Sequence, residues 1–239
     1  MLTIAILAGG RATRLGPLTE NIPKSLLDVN GEPFLVHQLR LLHSKGIRRV
    51  VLCVGHLGTL IQRKISDGSK HGLQVDYSFD GPCLLGTAGA IKNALPKLGG
   101  SFFVIYGDSY LLCDYQAIAC NFESSGGLGM MTVFRNEGKW DTSNVEYESG
   151  EILAYSKTQP TAGMRYIDYG LGVFRAEAFQ SLAAGQHCDL AEIYVDLLQR
   201  KQLAGFEVHE RFYEIGSPAG LRETTEFLAS RCANEIIKK

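Results

Sequence analysis

The residues best equipped for chemistry begin near the start of the chain. Gly9-Gly10 is followed by two spaced cations, Arg14 and Lys24. Adjacent glycines turn sharply, and without Cβ atoms their amides can approach an anion closely. Arg14 carries a planar fork that suits phosphate oxygens, and Lys24 a compact point charge. The set would serve as a polyphosphate cradle. A strand-to-helix turn with solvated cations reads the same way, and these residues alone leave both open. Neither the G-x-G-x-x-G of a dinucleotide fold nor the G-x-x-x-x-G-K-[ST] of a P-loop occurs at this turn, so those two phosphate sites are excluded here.

Further along, Asp108 follows an apolar strand-like run at once. Ligands of open α/β sheets bind beyond the carboxyl ends of strands, so this carboxylate is placed to meet one. A hard oxygen donor beside a triphosphate suits magnesium; alone, the same Asp reads as the start of a turn. Asp80 precedes Leu85-Gly86-Thr87-Ala88-Gly89. There Gly86 and Gly89 permit close approach of a flat ring, and a helix start offers free N–H groups. Asp80 could accept the N1 and N2 hydrogens of guanine or stand as a solvated loop carboxylate. Asn144, Asp168, Tyr169 and Trp140 supply the donors, acceptors and ring faces of a carbohydrate pocket. Edge-strand polar residues give the plainer reading of the first three. Trp140 reads rather as a core residue.

Composition narrows the classes. The 239 residues are 45% hydrophobic, enough for a sizeable core. Lys and Arg total 24 against 25 Asp and Glu, which argues against a nucleic-acid partner. No apolar run of about 18 residues is present to span a membrane, and no signal-peptide pattern opens the chain. The six cysteines show no C-x-x-C pair and no His at zinc spacing. Thiols in a reducing cytoplasm account for them.

These residues need a scaffold that brings strand ends together. Leu2–Leu7 lacks polar alternation and predicts a buried parallel strand. A helix is expected over Pro33–Lys45, a strand over Ile47–Val54, a helix over Gly58–Ser66 and a strand over Leu73–Phe79. A helix through Leu95 and a strand over Ser101–Tyr106 continue the alternation, which predicts an α/β fold with a Rossmann-like, doubly wound, mostly parallel mixed sheet. Helices over Tyr115–Glu123, Asp189–Leu198 (with Asp189 as N-cap) and Pro218–Ser230 are expected among strands over Leu128–Arg135, Glu151–Lys157, Arg165–Arg175, Phe206–His209 and Phe212–Ile215. One domain is expected over 1–239, with a nucleotide-binding part at about 1–110 and a sugar-binding part at about 111–239.

The run Ala8-Gly9-Gly10-Arg11-Ala12-Thr13-Arg14-Leu15-Gly16-Pro17-Leu18-Thr19, then Pro23-Lys24-Ser25, resembles the signature of sugar-1-phosphate nucleotidylyltransferases, with Ala12 and Ser25 as departures. Leu84-Leu85-Gly86-Thr87-Ala88-Gly89-Ala90, Gly107-Asp108, Lys157 and Glu214-Ile215-Gly216-Ser217-Pro218 match further family elements in order. The resemblance implies a nucleotide-diphospho-sugar transferase fold, GT-A-like, that joins an NTP to a sugar 1-phosphate and releases pyrophosphate. It implies catalytic roles for Arg14, Lys24 and Asp108, and magnesium held by Asp108 and Glu214, the latter in place of the family's usual Asp. It further implies nucleotide contacts from Leu7, Ala8, Gly9, Gly10, Asp80, Gly86 and Thr87. Sugar-phosphate contacts would come from Asn144, Lys157, Asp168, Tyr169 and Gly170. Ser156 stands where the family usually has a sugar-binding Glu, which points away from an ordinary hexose. Tyr106–Tyr110, Trp140–Val145, Ile167–Gly170 and Phe212–Pro218 look like the guanylyltransferases of D-glycero-alpha-D-manno-heptose 1-phosphate. GTP and that heptose phosphate are accordingly the expected substrates. Uridylyl or cytidylyl transfer to another sugar or alcohol phosphate is the alternative. A non-catalytic nucleotide-sugar-binding regulator would not need Arg14, Lys24, Asp108 and Glu214 together. A homo-oligomer is compatible with the sequence.

Overall fold

The computed structural model describes the backbone of residues 1–10 and 13–237, and side chains of residues 1–10 and 15–231. Arg11 and the side chain of Arg14, to which the resemblance ascribes a catalytic role, lie outside the described residues. In chain order the strands and helices are β1 (Thr3–Leu7), β2 (Asp28–Val29), β3 (Glu32–Pro33), α1 (Phe34–Ser44), β4 (Arg49–Val54), α2 (Gly58–Ile65), β5 (Gln74–Phe79), α3 (Gly86–Leu98) and β6 (Ser101–Tyr106). There follow β7 (Ser109–Leu111), α4 (Tyr115–Ser125), β8 (Gly129–Arg135), β9 (Val145–Glu148), β10 (Glu151–Tyr155), β11 (Tyr166–Arg175), α5 (Leu190–Gln199), β12 (Leu203–Val208), β13 (Phe212–Glu214) and α6 (Pro218–Ile237).

Nine strands form one sheet in the order β5-β4-β1-β6-β11-β8-β12-β10-β9. The first four in that order are parallel to one another, as the apolar runs and intervening helices required. β11 enters antiparallel between β6 and β8, and β12 is parallel to β8. The sheet is thus mixed, and each of its antiparallel pairings involves a strand that follows residue 111.

Strand alternation divides the core. Ile4, Ile6, Phe103 and Ile105 face α1, α2 and α4, while Ala5, Phe102 and Val104 face α3 and α5. Ile4 and Ile6 are wholly buried, and each contributes about 1.5–3 kcal/mol by leaving water. A smaller cluster of Leu27, Val29, Phe34, Tyr110, Ile215 and Leu228 lies under α6. α1 ends where Gly46 takes a φ of 87°. α5 starts with a capping box between Asp189 and Glu192.

Two expectations are corrected by this packing. Tyr169 does not face the sugar side. It is 3% exposed, stacks on Phe134 and meets Phe212 edge-on, within the cluster that holds Ile4 and Ile6. Asp168, one residue earlier, is on the other face of the strand. Trp140 is not in the core: it is 44% exposed, and the Arg211 guanidinium lies 3.8 Å over its ring. No helix among the described residues is long and apolar enough to cross a membrane.

Candidate active site

β1, β4 and β6 end together. The Ala8 N–H donates to Cys53 O at 2.8 Å, and the Gly107 N–H to Leu7 O at 2.9 Å. Beyond these ends opens a cavity of about 300 Å³ lined by Leu7, Ala8, Gly9, Gly10, Lys24, Asp80, Gly86, Thr87 and Asp108. These are nine of the positions picked out in the sequence. Gly9 has a packing reason, since a Cβ there would lie 3.0 Å from Gly55 N. Gly86 opens α3 at a φ of +72°, and its Cβ would lie 2.5 Å from Cys188 O.

The sequence reading missed other lining residues. Tyr106, His187 and Asp189 also face the cavity. His187 and Asp189 arrive because the turn before α5 docks on the start of α3: Ala88 N–H donates to Cys188 O at 3.0 Å, and Leu190 N–H to Thr87 Oγ1 at 2.6 Å. In the sequence Asp189 is legible only as a helix cap.

Lys24 begins a short 3-10 turn after Pro23, and its Nζ stands 2.5 Å from Asp108 Oδ2. Asp108 sits in the turn between β6 and β7. β7 pairs antiparallel with β13, placing Ser109 opposite Glu214, and Ile215 N–H donates to Asp108 O at 2.9 Å. A Cβ on Gly216 would lie 2.7 Å from Glu214 Oε2, 3.0 Å from Asp108 Oδ2 and 3.6 Å from Lys24 Nζ. Two carboxylates and an ammonium therefore converge over one glycine. Glu214 is held by the Gly216 N–H and by Ser217 Oγ, the latter 2.7 Å from Oε1. This pair of hard oxygen donors fits a divalent cation that keeps waters and takes substrate oxygens. Among the described residues no group of three or more His, Cys, Asp or Glu side chains gathers as a metal site.

The remaining sugar-side positions form a chain leading to the cavity. Asn144 Oδ1 accepts the Asp168 N–H at 2.9 Å, and Asp168 Oδ1 accepts the Gly170 N–H at 3.0 Å. Gly170, at a φ of +93°, lies over Tyr106 and Ser109. Lys157, just past β10, donates to Asp189 Oδ1 at 2.9 Å. Burial raises the Asp168 carboxyl above its ordinary range, opposed by the Gly170 N–H and by Lys157. At Asp189 burial also acts upward, but the Ala191 N–H and Lys157 outweigh it and hold the carboxyl low. Asp80, whose Oδ2 accepts the Leu85 N–H at 3.3 Å, is raised by burial. Buried Cys53, at the cavity wall, is pushed up to about 12 and is therefore no nucleophile at neutral pH.

A model of the family described as Nucleotidyl transferase matches residues 4–231. N-acetylmuramate alpha-1-phosphate uridylyltransferase of Neisseria meningitidis serogroup B is 30% identical over 224 residues, which cover 91% of this chain and 94% of that protein. Mannose-1-phosphate guanylyltransferase catalytic subunit beta of Xenopus tropicalis is 27% identical over 235 residues, and the match takes in 95% of this chain but 63% of that protein. Among solved structures, HddC from Yersinia pseudotuberculosis complexed with GMP-PN has a TM-score of 0.78 at 23% identity, covering 95% of this chain and 100% of that one. A putative glucose-1-phosphate thymidylyltransferase from Bacillus anthracis in complex with a sucrose has a TM-score of 0.82 at 19% identity, with 95% of each chain covered. These likenesses show the α/β fold with its mixed central sheet.

Proposed function

The chain belongs to the nucleotidyl transferase family, and from that premise we propose that it joins a nucleoside triphosphate to a sugar 1-phosphate. The observation that carries this reading is the convergence of Lys24, Asp108 and Glu214 over Gly216, with Lys24 and Asp108 on the wall of the glycine-lined cavity. An oxygen of the sugar phosphate attacks the α-phosphorus. The new P–O bond forms as the bond to the β-phosphate oxygen breaks, and pyrophosphate leaves with that electron pair. The attacking oxygen is already an anion, so charge neutralisation and alignment are needed rather than a base. Magnesium on Asp108 and Glu214 would supply neutralisation of nucleotide oxygens. Lys24, at 2.5 Å from Asp108, is the cation placed to meet charge growing at the α-phosphate. Lys157, tethered to Asp189 at the cavity edge, would meet the attacking phosphate. Arg14 would take the departing pyrophosphate.

We assign the nucleotide as GTP. Asp80 presents a half-buried acceptor to the cavity, and guanine offers it adjacent N1 and N2 donors, whereas uracil and thymine offer one N–H flanked by carbonyl oxygens. The guanylyltransferase relative agrees with this assignment. The heptose 1-phosphate acceptor rests on the motif likeness. Uridylyl transfer is the second reading, favoured by the Neisseria uridylyltransferase that matches over 94% of its length. The test is magnesium-dependent pyrophosphate release from each ribonucleoside triphosphate and dTTP with heptose, mannose, glucose and N-acetylhexosamine 1-phosphates. Release confined to GTP and the heptose phosphate is expected. Release only with UTP would overturn the base assignment, and silence throughout would point to an acceptor outside this set or to a non-catalytic nucleotide-sugar binder, which a nucleotide-sugar binding titration separates.

A further inference from the structure

Gln38 is a polar residue in the middle of an apolar helix face. It lies on α1 among Leu35, Val36, Leu39 and Leu42, and it is wholly buried. A buried amide without partners would cost stability, so where its hydrogens go is informative. Nε2 donates to Tyr106 O at 2.9 Å and to Ser109 O at 2.7 Å. These two carbonyls flank Gly107-Asp108. One side-chain NH₂ thus closes the turn that presents Asp108. It also fixes the start of β7, where Ser109 is the ladder partner of Glu214. The contact spans 71 residues to Ser109 and belongs to no sheet or helix ladder.

We propose that Gln38 is a positioning residue that sets the spacing of Asp108 and Glu214, and so the affinity of the carboxylate pair for a divalent cation. Gln38 touches neither substrate nor metal; it acts through the backbone carbonyls of Tyr106 and Ser109. A leucine at position 38 would fill the space and deprive both carbonyls of the Gln38 donor. The turn would then be free to relax away from Gly216, where the two carboxylates meet. The inference rests on the reading of Asp108 and Glu214 as metal ligands.

The test is a double-mutant cycle of Gln38→Met with Asp108→Asn, Met being unbranched and close to Gln in volume. Turnover is measured with whichever triphosphate and sugar 1-phosphate pair releases most pyrophosphate. Mn²⁺ binding to the substrate-free protein is followed by loss of the free-ion paramagnetic resonance signal. Gln38→Met is expected to weaken Mn²⁺ binding and lower kcat by about tenfold each, with nucleotide KM within about twofold, as a displaced contact would. In the Asp108→Asn background the Gln38 change should cost less than about twofold, because coupled residues are not additive. Equal losses in both backgrounds, or unchanged Mn²⁺ affinity, would overturn the proposal. Where Gln38→Met does not fold, Gln38→Asn takes its place in the same cycle, since it keeps an amide but is one methylene too short to reach both carbonyls. Wild-type turnover and Mn²⁺ binding in Asp108→Asn alone would overturn the metal reading itself, and the Gln38 proposal with it.

Discussion

Lys24 and Asp108 are 84 residues apart in the chain, yet Nζ and Oδ2 stand 2.5 Å apart at the cavity wall. Each gives the other a counter-charge, and each side chain keeps roughly a quarter of its surface in reach of solvent. The pair is therefore stored in place rather than sealed, and either partner can turn to a phosphate or a cation that enters. Lys24→Met and Asp108→Ala are each expected to lower kcat by about 10²–10³, the loss typical of one preorganised transition-state contact. Steady-state pyrophosphate release checks this, and near-wild-type turnover in either variant would remove that residue from the machinery.

Asp80 links specificity to stability. Burial raises its carboxyl above the ordinary 3.8, so the folded protein holds that proton more tightly than the unfolded chain does. The associated stability is present below that ordinary value and is lost as pH rises through the raised one. Asp80→Asn should accordingly raise the melting temperature at pH 7, with the gain vanishing below pH 3.8. The same variant should raise KM for GTP by about tenfold or more, the cost of losing hydrogen bonds to a charged acceptor. Thermal melts across pH, paired with GTP kinetics, test both halves.

Asp189 combines two duties that substitution can separate. It caps α5 and holds Lys157. Asp189→Ala should destabilise the fold by about 0.5–2 kcal/mol, the usual cost of a lost N-cap. Asp189→Asn keeps a capping oxygen and should lose less stability than Asp189→Ala. It also removes a negative charge from an anion site, so KM for the sugar phosphate should fall by about two- to fivefold, in scale with an exposed ion pair. A rise in that KM would mean that Asp189 is required to aim Lys157.

Gly86 tests the joint between α3 and the turn before α5. Its φ is +72°, and a Cβ there would stand only 2.5 Å from Cys188 O, which leaves no room for a side chain. Gly86→Ala should cost more than about 1 kcal/mol, above the ordinary effect of an incompatible backbone position. Chemical denaturation gives the value directly.

How much of this could be read from the chain depended on range. The Gly9-Gly10 turn, Gly86-Thr87 and Asp108 follow strands or open a helix, so local pattern alone placed them at strand ends, where the cavity indeed lies. The parallel strands were legible because their apolar runs are uninterrupted. Tyr169 was misplaced because a phenol next to Asp168 and Gly170 looks polar, whereas strand alternation turns it into the core. Trp140 was misplaced because its partner, Arg211, comes from a distant segment that no local pattern reveals. His187 and the second role of Asp189 depend on the docking of two helix starts against each other, and Gln38 on a contact across 71 residues.

The ladder between β7 and β13 has a consequence for how the protein is made. Synthesis proceeds from the N-terminus, so β1, β4, β5, α3 and β6 emerge well before Glu214. Domains generally fold as units. Until Glu214 is made, the chain carries Lys24 and Asp108 but not the second carboxylate. The second carboxylate joins only when β13 zips onto β7. The centre is therefore complete only once its last strand, β13, is paired with β7.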